Sequence, residues 1–300
     1  MIKILKGAIA LSYDWWAFPA GEVGIRVNTE NHAFKAAPGE ITIVARLMSA
    51  RDFAHLIMVV SAVEEWDKAP TRLVLPYVPN GRQDRVCTPG DSFGLLAFAR
   101  QIAALGFKEL VTFDPHSDVT PSVFRALGLR VKVINQATII GQFPMFNARL
   151  HAYGDPTEIP PLFCSPDAGA NKKTAELAAL YGHPYFVRAD KLRDLSTGKI
   201  KEIVVVNPKE EVEGRDIVII DDIADGGATF VGLAAALKAK GARRVELYVT
   251  HGIFSKGIVP LITGGIDHIW TTNGYQPMGP DLVTSDVTVL DLDSAFRLTQ

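Results

Sequence analysis

The segment that most constrains this chain is Ile217 to Thr229, IVIIDDIADGGAT. Ile217, Val218, Ile219 and Ile220 are β-branched without polar alternation. Such a run describes a strand covered on both faces, as in a parallel sheet. Asp221 and Asp222 follow, and Asp225, Gly226, Gly227, Ala228 and Thr229 then lead into a helical pattern, FVGLAAALKAKG. A strand that ends in carboxylates and turns through glycines into a helix places ligands at the carboxyl edge of its sheet. Amides of the turn and of the helix start can cradle a phosphate. The aspartates are too acidic to contact the phosphate, but they suit ribose hydroxyls or a hydrated magnesium ion. The segment is read as a holder of phosphorylated ribose for chemistry at the anomeric carbon.

The rest of the chain surrounds this segment with the same kind of structure. EITIVARL is followed by a helix opening with the capping-box pattern Ser49 to Asp52, and then by TRLVLPY. Strands alternating with helices in this way predict an α/β protein with parallel sheets. ARQIAALGFKELVTFDPH and AAALKAKGARRVELYVTH each read as helix, glycine C-cap, basic residue, strand and histidine, with Gly106 to His116 and Gly241 to His251 equally spaced. This internal repeat predicts two similar domains. The glycine and proline in GQFPMF place the boundary there, giving domains 1–143 and 144–300.

Composition narrows the classes of function. With 300 residues, 48% of them hydrophobic, the chain can bury the cores of two domains. A net charge of -2 without a basic block excludes nucleic acid as the expected partner. Cys87 and Cys164 lack disulfide or zinc spacing. A cytoplasmic setting is expected, and no apolar run is long enough to cross a bilayer.

Several other segments place chemistry at strand ends. Arg82 and Arg85 follow TRLVLPY, and their guanidinium forks match a polyphosphate. His116 closes a predicted strand and could, with Asp167, hold a magnesium-nucleotide directly or through phosphate or water. Lys191 and Arg193 end YFVRAD and precede a polar stretch, Asp194 to Lys199, expected to be a mobile loop closing cations over a transferring diphosphate. Trp15, Trp16, Trp66 and Trp270 are read as packing residues or interface anchors.

Taken in chain order, these segments resemble the ribose-phosphate pyrophosphokinase, or PRPP synthetase, family. FPAGEVGIRV is similar to its adenine-contacting segment, PYVPNGRQDR to its ATP segment, and Asp114, Pro115 and His116 to its Asp-Leu-His segment. Ser165 to Asp167 resembles its SPD strand end, ADKLRDLS its catalytic loop, IVIIDDIADGGAT its PRPP-binding motif, and VTHGIF, ending at Phe254, a segment near its C-terminus. The resemblance spans most of the chain from Phe18 onward. It implies two tandem domains of type I phosphoribosyltransferase-like fold, each a mainly parallel sheet flanked by helices, in a homo-oligomer of two or more subunits. It implies ATP contacts from Phe18, Glu22, Arg82, Gln83, Arg85 and His116. Lys191, Arg193 and His116 become the expected catalytic residues, and His116 and Asp167 the expected magnesium ligands. Asp221, Asp222, Asp225, Gly226, Gly227, Ala228 and Thr229 become the expected ribose-phosphate residues.

The implied activity is transfer of the β,γ-diphosphate of Mg-ATP to the anomeric hydroxyl of ribose 5-phosphate, releasing AMP. The chain departs from the family's pattern in a shorter region before Phe18 and in Ala20, which stands where an acidic or amide residue is usual. It also departs in Gly226 and Ala228, where the family has Thr-Gly-Gly-Thr-like residues. Gly226 keeps a backbone donor but clears volume beside the 5-phosphate. That opening keeps ADP-ribose as an alternative acceptor, which would connect the protein to NAD metabolism. A non-catalytic, nucleotide-binding regulatory relative is a further alternative.

Overall fold

The structure, a computed structural model, describes residues 1–151, 159–183, 185–193, 200–276 and 284–297, the side chains at 192, 193 and 200–202 excepted. Its contacts divide the chain into two units. The first holds Met1–Asn135, to which short returns after Gly274 and from Asp291 are added, and the second begins at Gln136. The division therefore falls between Asn135 and Gln136 rather than at 143/144, and the chain crosses back near its end.

The first unit opens with β1 (Ile2–Lys6), β2 (Ile9–Leu11) and an antiparallel ribbon of β3 (Tyr13–Ala17) and β4 (Val23–Val27). It continues with α1 (His32–Ala36), β5 (Ile41–Ala45), α2 (Ala50–Trp66), β6 (Arg72–Val74) and α3 (Gly94–Ala104). β7 (Glu109–Phe113), α4 (Val119–Ala126) and β8 (Arg130–Ile134) complete the run. Among the described residues the sheet has the order β2-β1-β5-β6-β7-β8, parallel from β5 to β8 and antiparallel at β1 and β2. Ser49 caps α2 as its sequence predicts, its Oγ accepting from the Asp52 amide at 3.3 Å while Asp52 accepts from the Met48 amide. Leu56, Val59, Val60 and Val63 then fall on the face of α2 buried in this unit's core.

The second unit starts with α5 (Gln136–Gly141) and α6 (Pro144–His151), followed by β9 (Leu162–Ser165), α7 (Asn171–Leu180), β10 (Val187–Arg193) and β11 (Ile200–Val205). Next come α8 (Lys209–Val212), β12 (Asp216–Ala224), α9 (Ala228–Ala239) and β13 (Arg244–Gly252). The unit ends with α10 (Val259–Thr263), β14 (His268–Thr272) and β15 (Val287–Leu290), and α11 (Leu292–Ala295) returns to the first unit. The sheet order is β11-β10-β9-β12-β13-β14-β15, parallel from β10 to β15, with β11 antiparallel to β10.

The uninterrupted apolar run of β12 has a direct structural cause. Ile217 and Ile219 join the core beneath α9, where Phe230, Leu233, Ala234 and Leu237 recur at helical spacing. Val218 and Ile220 join the opposite core with Phe146 and Leu150 of α6 and Leu177 of α7. Both faces are covered, so strand periodicity leaves no polar side. The repeat read in the sequence is present as α3-Gly106-β7 and α9-Gly241-β13, the two glycines having φ of 84° and 88°. Such left-handed C-caps are cheap only for glycine. Among the described residues no helix is long and apolar enough to cross a membrane.

Candidate active site

In the second unit, β12 carries the chain to the carboxyl edge of its sheet. Asp221 and Asp222 lie inside this strand, which continues to Ala224, past the carboxylates at which the sequence pattern ends it. Burial, and then the adjacent Asp222 carboxylate, push the Asp221 carboxyl well above the ordinary range, and the charge of Asp167 acts in the same direction. The Asp222 amide donates to Asp221 Oδ1 at 2.9 Å, and Gln136 Nε2 donates to the Asp221 backbone carbonyl at 2.9 Å.

The chain then turns through Asp225, Gly226 and Gly227 into α9. Gly227 has φ 77° and stands at the N-cap, and no side chain caps the helix. The Phe230 amide donates to the Gly227 carbonyl at 3.0 Å, and the amides before it, at Ala228 and Thr229, are left to a ligand or to water. A Cβ on Gly227 would come within 3.0 Å of Leu261 Cδ2, so both backbone and space demand glycine there. At Gly226 a Cβ would meet nothing nearer than the Lys256 stem, at 3.7 Å. Ala228 and Thr229 open α9. Phe254, expected from VTHGIF, is 6% exposed, and its amide and that of Ile253 both donate to the Ala224 carbonyl, bracing the loop from behind.

Lys191 does not lie in a loop. It is on β10, beyond the point where that strand pairs with the end of β9, and its Nζ meets Asp167 Oδ2 at 2.6 Å. Burial opposes the Asp167 charge, but the Lys191 hydrogen bond and charge and the amides of Ala170 and Gly169 outweigh it, holding the carboxyl below its usual value. Asp167, expected to bind metal with His116, is therefore already paired with Lys191. Arg193 ends the same strand, and its side chain lies outside the described residues, as does the expected loop 194–199.

In the first unit, Arg82, Gln83 and Arg85 occupy the turn between β6 and α3 and are exposed. Asp84, not singled out in the sequence, organises this turn. It is buried, its Oδ1 accepts from Arg85 Nε at 2.8 Å, and it faces Ser117 and His116. The Arg85 hydrogen bond, helped by the nearby charges, outweighs burial and keeps Asp84 below the usual carboxylate range. Two segments far apart in sequence thus meet here, with His116 Cβ 4.0 Å from where a Cβ on Gly81 would stand. Asp114, two residues before His116, is buried at φ 38°, a costly conformation of the kind that gathers at ligand sites. Gln83 points toward the start of α3. Its Oε1 accepts from Asn80 Nδ2 at 2.7 Å and fills the space where a Cβ on Gly94 would stand.

Phe18 and Glu22 lie at the tip of the β3-β4 ribbon, a two-stranded sheet separate from the main one. The Phe18 amide donates to the Glu22 carbonyl at 2.8 Å, and Phe18 is 48% exposed beside Trp16. The missed residues gave unequal signals. Asp84 sits inside RQDR and Lys256 inside the turn after VTHGIF, whereas Gln136 has no local pattern at all.

Among the described residues no group of three His, Cys, Asp or Glu side chains is placed to hold a metal ion. A magnesium ion usually takes only one or two carboxylates together with substrate phosphates and water. Asp221 and Asp222, whose mutual repulsion raises Asp221, have the donor chemistry for that role.

A model of the phosphoribosyl transferase domain matches residues 176–260, the stretch that contains β12, its glycine turn and α9. Along nearly the whole chain, the ribose-phosphate pyrophosphokinase of Thermococcus kodakarensis is 28% identical over 89% of this chain and 87% of its own length. The enzyme of the same name from Sulfurisphaera tokodaii is 28% identical over 95% and 90%. A crystal structure of phosphoribosylpyrophosphate synthetase from Mycobacterium smegmatis superposes with a TM-score of 0.78 at 19% identity, covering 97% of this chain and 89% of that one, and so shares the fold. The architecture is therefore that of two tandem domains of phosphoribosyltransferase type. Along most of its length the chain is similar to ribose-phosphate pyrophosphokinases, at an identity that marks it as divergent from them.

Proposed function

We propose that the protein is a diphosphotransferase that moves the β,γ-diphosphate of Mg-ATP to the anomeric hydroxyl of ribose 5-phosphate, giving PRPP and AMP. The observation that carries this reading is the end of β12, where the adjoining carboxylates of half-buried Asp221 and buried Asp222 precede an uncapped α9 N-terminus across the Gly226-Gly227 turn. That combination suits a sugar with vicinal hydroxyls and a phosphate. The names of the full-length relatives support the same activity.

The anomeric oxygen attacks the β-phosphorus in line, the bond to the α-phosphate oxygen breaks, and AMP leaves with that oxygen. No covalent enzyme intermediate is required. Asp221 and Asp222 orient the ribose hydroxyls, and the amides from Gly226 to Thr229 hold the 5-phosphate. Lys191 and Arg193 neutralise charge that spreads over the transferring group, and Asp167 keeps Lys191 in place. Arg82, Arg85 and His116 bind the polyphosphate, and Phe18 and Glu22 the adenine. Gln83 acts through the shape of the turn, given its contact with α3. A magnesium ion held near Asp221 and Asp222 would supply charge neutralisation on the phosphates.

One observation favours a second acceptor. Gly226 brings no side chain of its own, and the nearest atoms to its missing Cβ belong to the flexible Lys256 stem at 3.7 Å, which can move aside for a group esterified to the 5-phosphate, as ADP-ribose requires. Incubation with Mg-ATP and each sugar separately, followed by mass analysis, tests both readings. The expected result is AMP plus one acceptor heavier by a diphosphate, and a diphosphorylated product from neither sugar would overturn both.

A further inference from the structure

The turn that follows β13 carries a cation beside the glycine loop. Because the amides of Ile253 and Phe254 donate to the Ala224 carbonyl at 2.8 and 3.0 Å, this turn is fixed to the end of β12. Phe254 at φ 47° and Gly257 at φ 72°, joined by a 2.7 Å bond from the Gly257 amide to the Phe254 carbonyl, close a tight loop around Ser255 and Lys256. Lys256 lies beside Gly226. Its Cε and Cδ are 3.7 and 3.9 Å from where a Cβ on Gly226 would stand. Lys256 is exposed, and among the described residues its ammonium takes part in no ion pair.

We infer that Lys256 is a specificity-determining residue that binds the phosphate carried on C5 of the acceptor ribose. The inference rests on the reading of Asp225 to Thr229 as the acceptor loop. Backbone amides at the start of α9 supply short-range donors, and Lys256 adds a full charge on a flexible stem that can follow a phosphate oxygen. With ribose 5-phosphate the ammonium meets the phosphate monoester. With ADP-ribose it meets the diphosphate.

The test uses the full chain, Lys256→Met, which keeps the stem and removes the charge, and Lys256→Arg, which restores it. Ribose 5-phosphate and ADP-ribose are titrated separately by calorimetry, and KM for ATP is measured in parallel. Lys256→Met should weaken the phosphorylated acceptor by about tenfold, the size of one charge-assisted hydrogen bond, and Lys256→Arg should recover most of it. KM for ATP should stay at the wild-type value. A loss confined to ADP-ribose assigns the contact to its diphosphate, and a loss for both sugars assigns it to the shared phosphate. Equal acceptor affinities in wild type and Lys256→Met would overturn the role of Lys256 while leaving the acceptor site standing. If the wild-type protein binds neither sugar, the reading of the loop fails and the inference fails with it.

Discussion

Asp221 sits where burial and the Asp222 carboxylate both favour the protonated acid. Its folded pKa is raised, so its contribution to stability is present below the unfolded value, near ~3.9, and is lost as pH rises toward the folded one. Asp221→Asn should therefore raise Tm near neutral pH, by about 2–4 °C for each kcal/mol regained. The same variant should cost most acceptor turnover. Thermal unfolding between weakly acid and neutral pH checks the sign, and a Tm that falls on substitution would contradict it. Lys191 is the second residue whose role can be isolated. Lys191→Ala should lower turnover about a hundredfold, the effect of ~3 kcal/mol on the barrier, while ATP still binds. Near wild-type AMP release from that variant would remove Lys191 from the mechanism. The residue types at both positions were legible in the sequence. The Lys191-Asp167 pair was not, because the two residues lie on different strands and no local pattern connects them.

The elements most legible in the sequence were those whose pattern follows directly from burial. β12 could be read because α9 covers one of its faces and α6 and α7 the other, so its residues have no polar alternation. The end of that strand was harder. Backbone pairing with β13 carries the strand conformation through Asp221 to Ala224, and carboxylates at a sheet edge give no local sign of it. β10 was misread for a related reason. YFVRADKLR looks polar because the strand leaves the main sheet and pairs only with β11 from Ala189 onward. The turn into α9 provides a test at this scale. Gly227→Ala places a side chain at φ 77° and 3.0 Å from Leu261 Cδ2, and should cost about 1–3 kcal/mol. Gly226→Ala meets only ordinary contact at 3.7 Å and should stay within ~0.5 kcal/mol. Urea unfolding of the two variants measures the difference, and equal losses would contradict the assigned geometry.

Across the whole molecule, the internal repeat foretold two units of one kind because each needs the same helix, left-handed glycine and strand. His116 and His251, matched in spacing, have nevertheless diverged. One is exposed after β7, while the other is buried within β13. The return of the C-terminal segment to the first unit was not legible. It rests on Asp293, which pairs with buried Arg46 at 2.9 Å and with Lys3 at 2.6 Å across almost the full length of the chain. Neither pair has a local signature.

The direction and unit of transfer carry the proposed activity, and ATP labelled with heavy oxygen at the non-bridging positions of its β and γ phosphates measures both. The account predicts unlabelled AMP and a sugar that has gained both labelled phosphates at its anomeric position, with ribose 5-phosphate or ADP-ribose as acceptor. Labelled inorganic pyrophosphate, or ADP with a singly phosphorylated sugar, would contradict it.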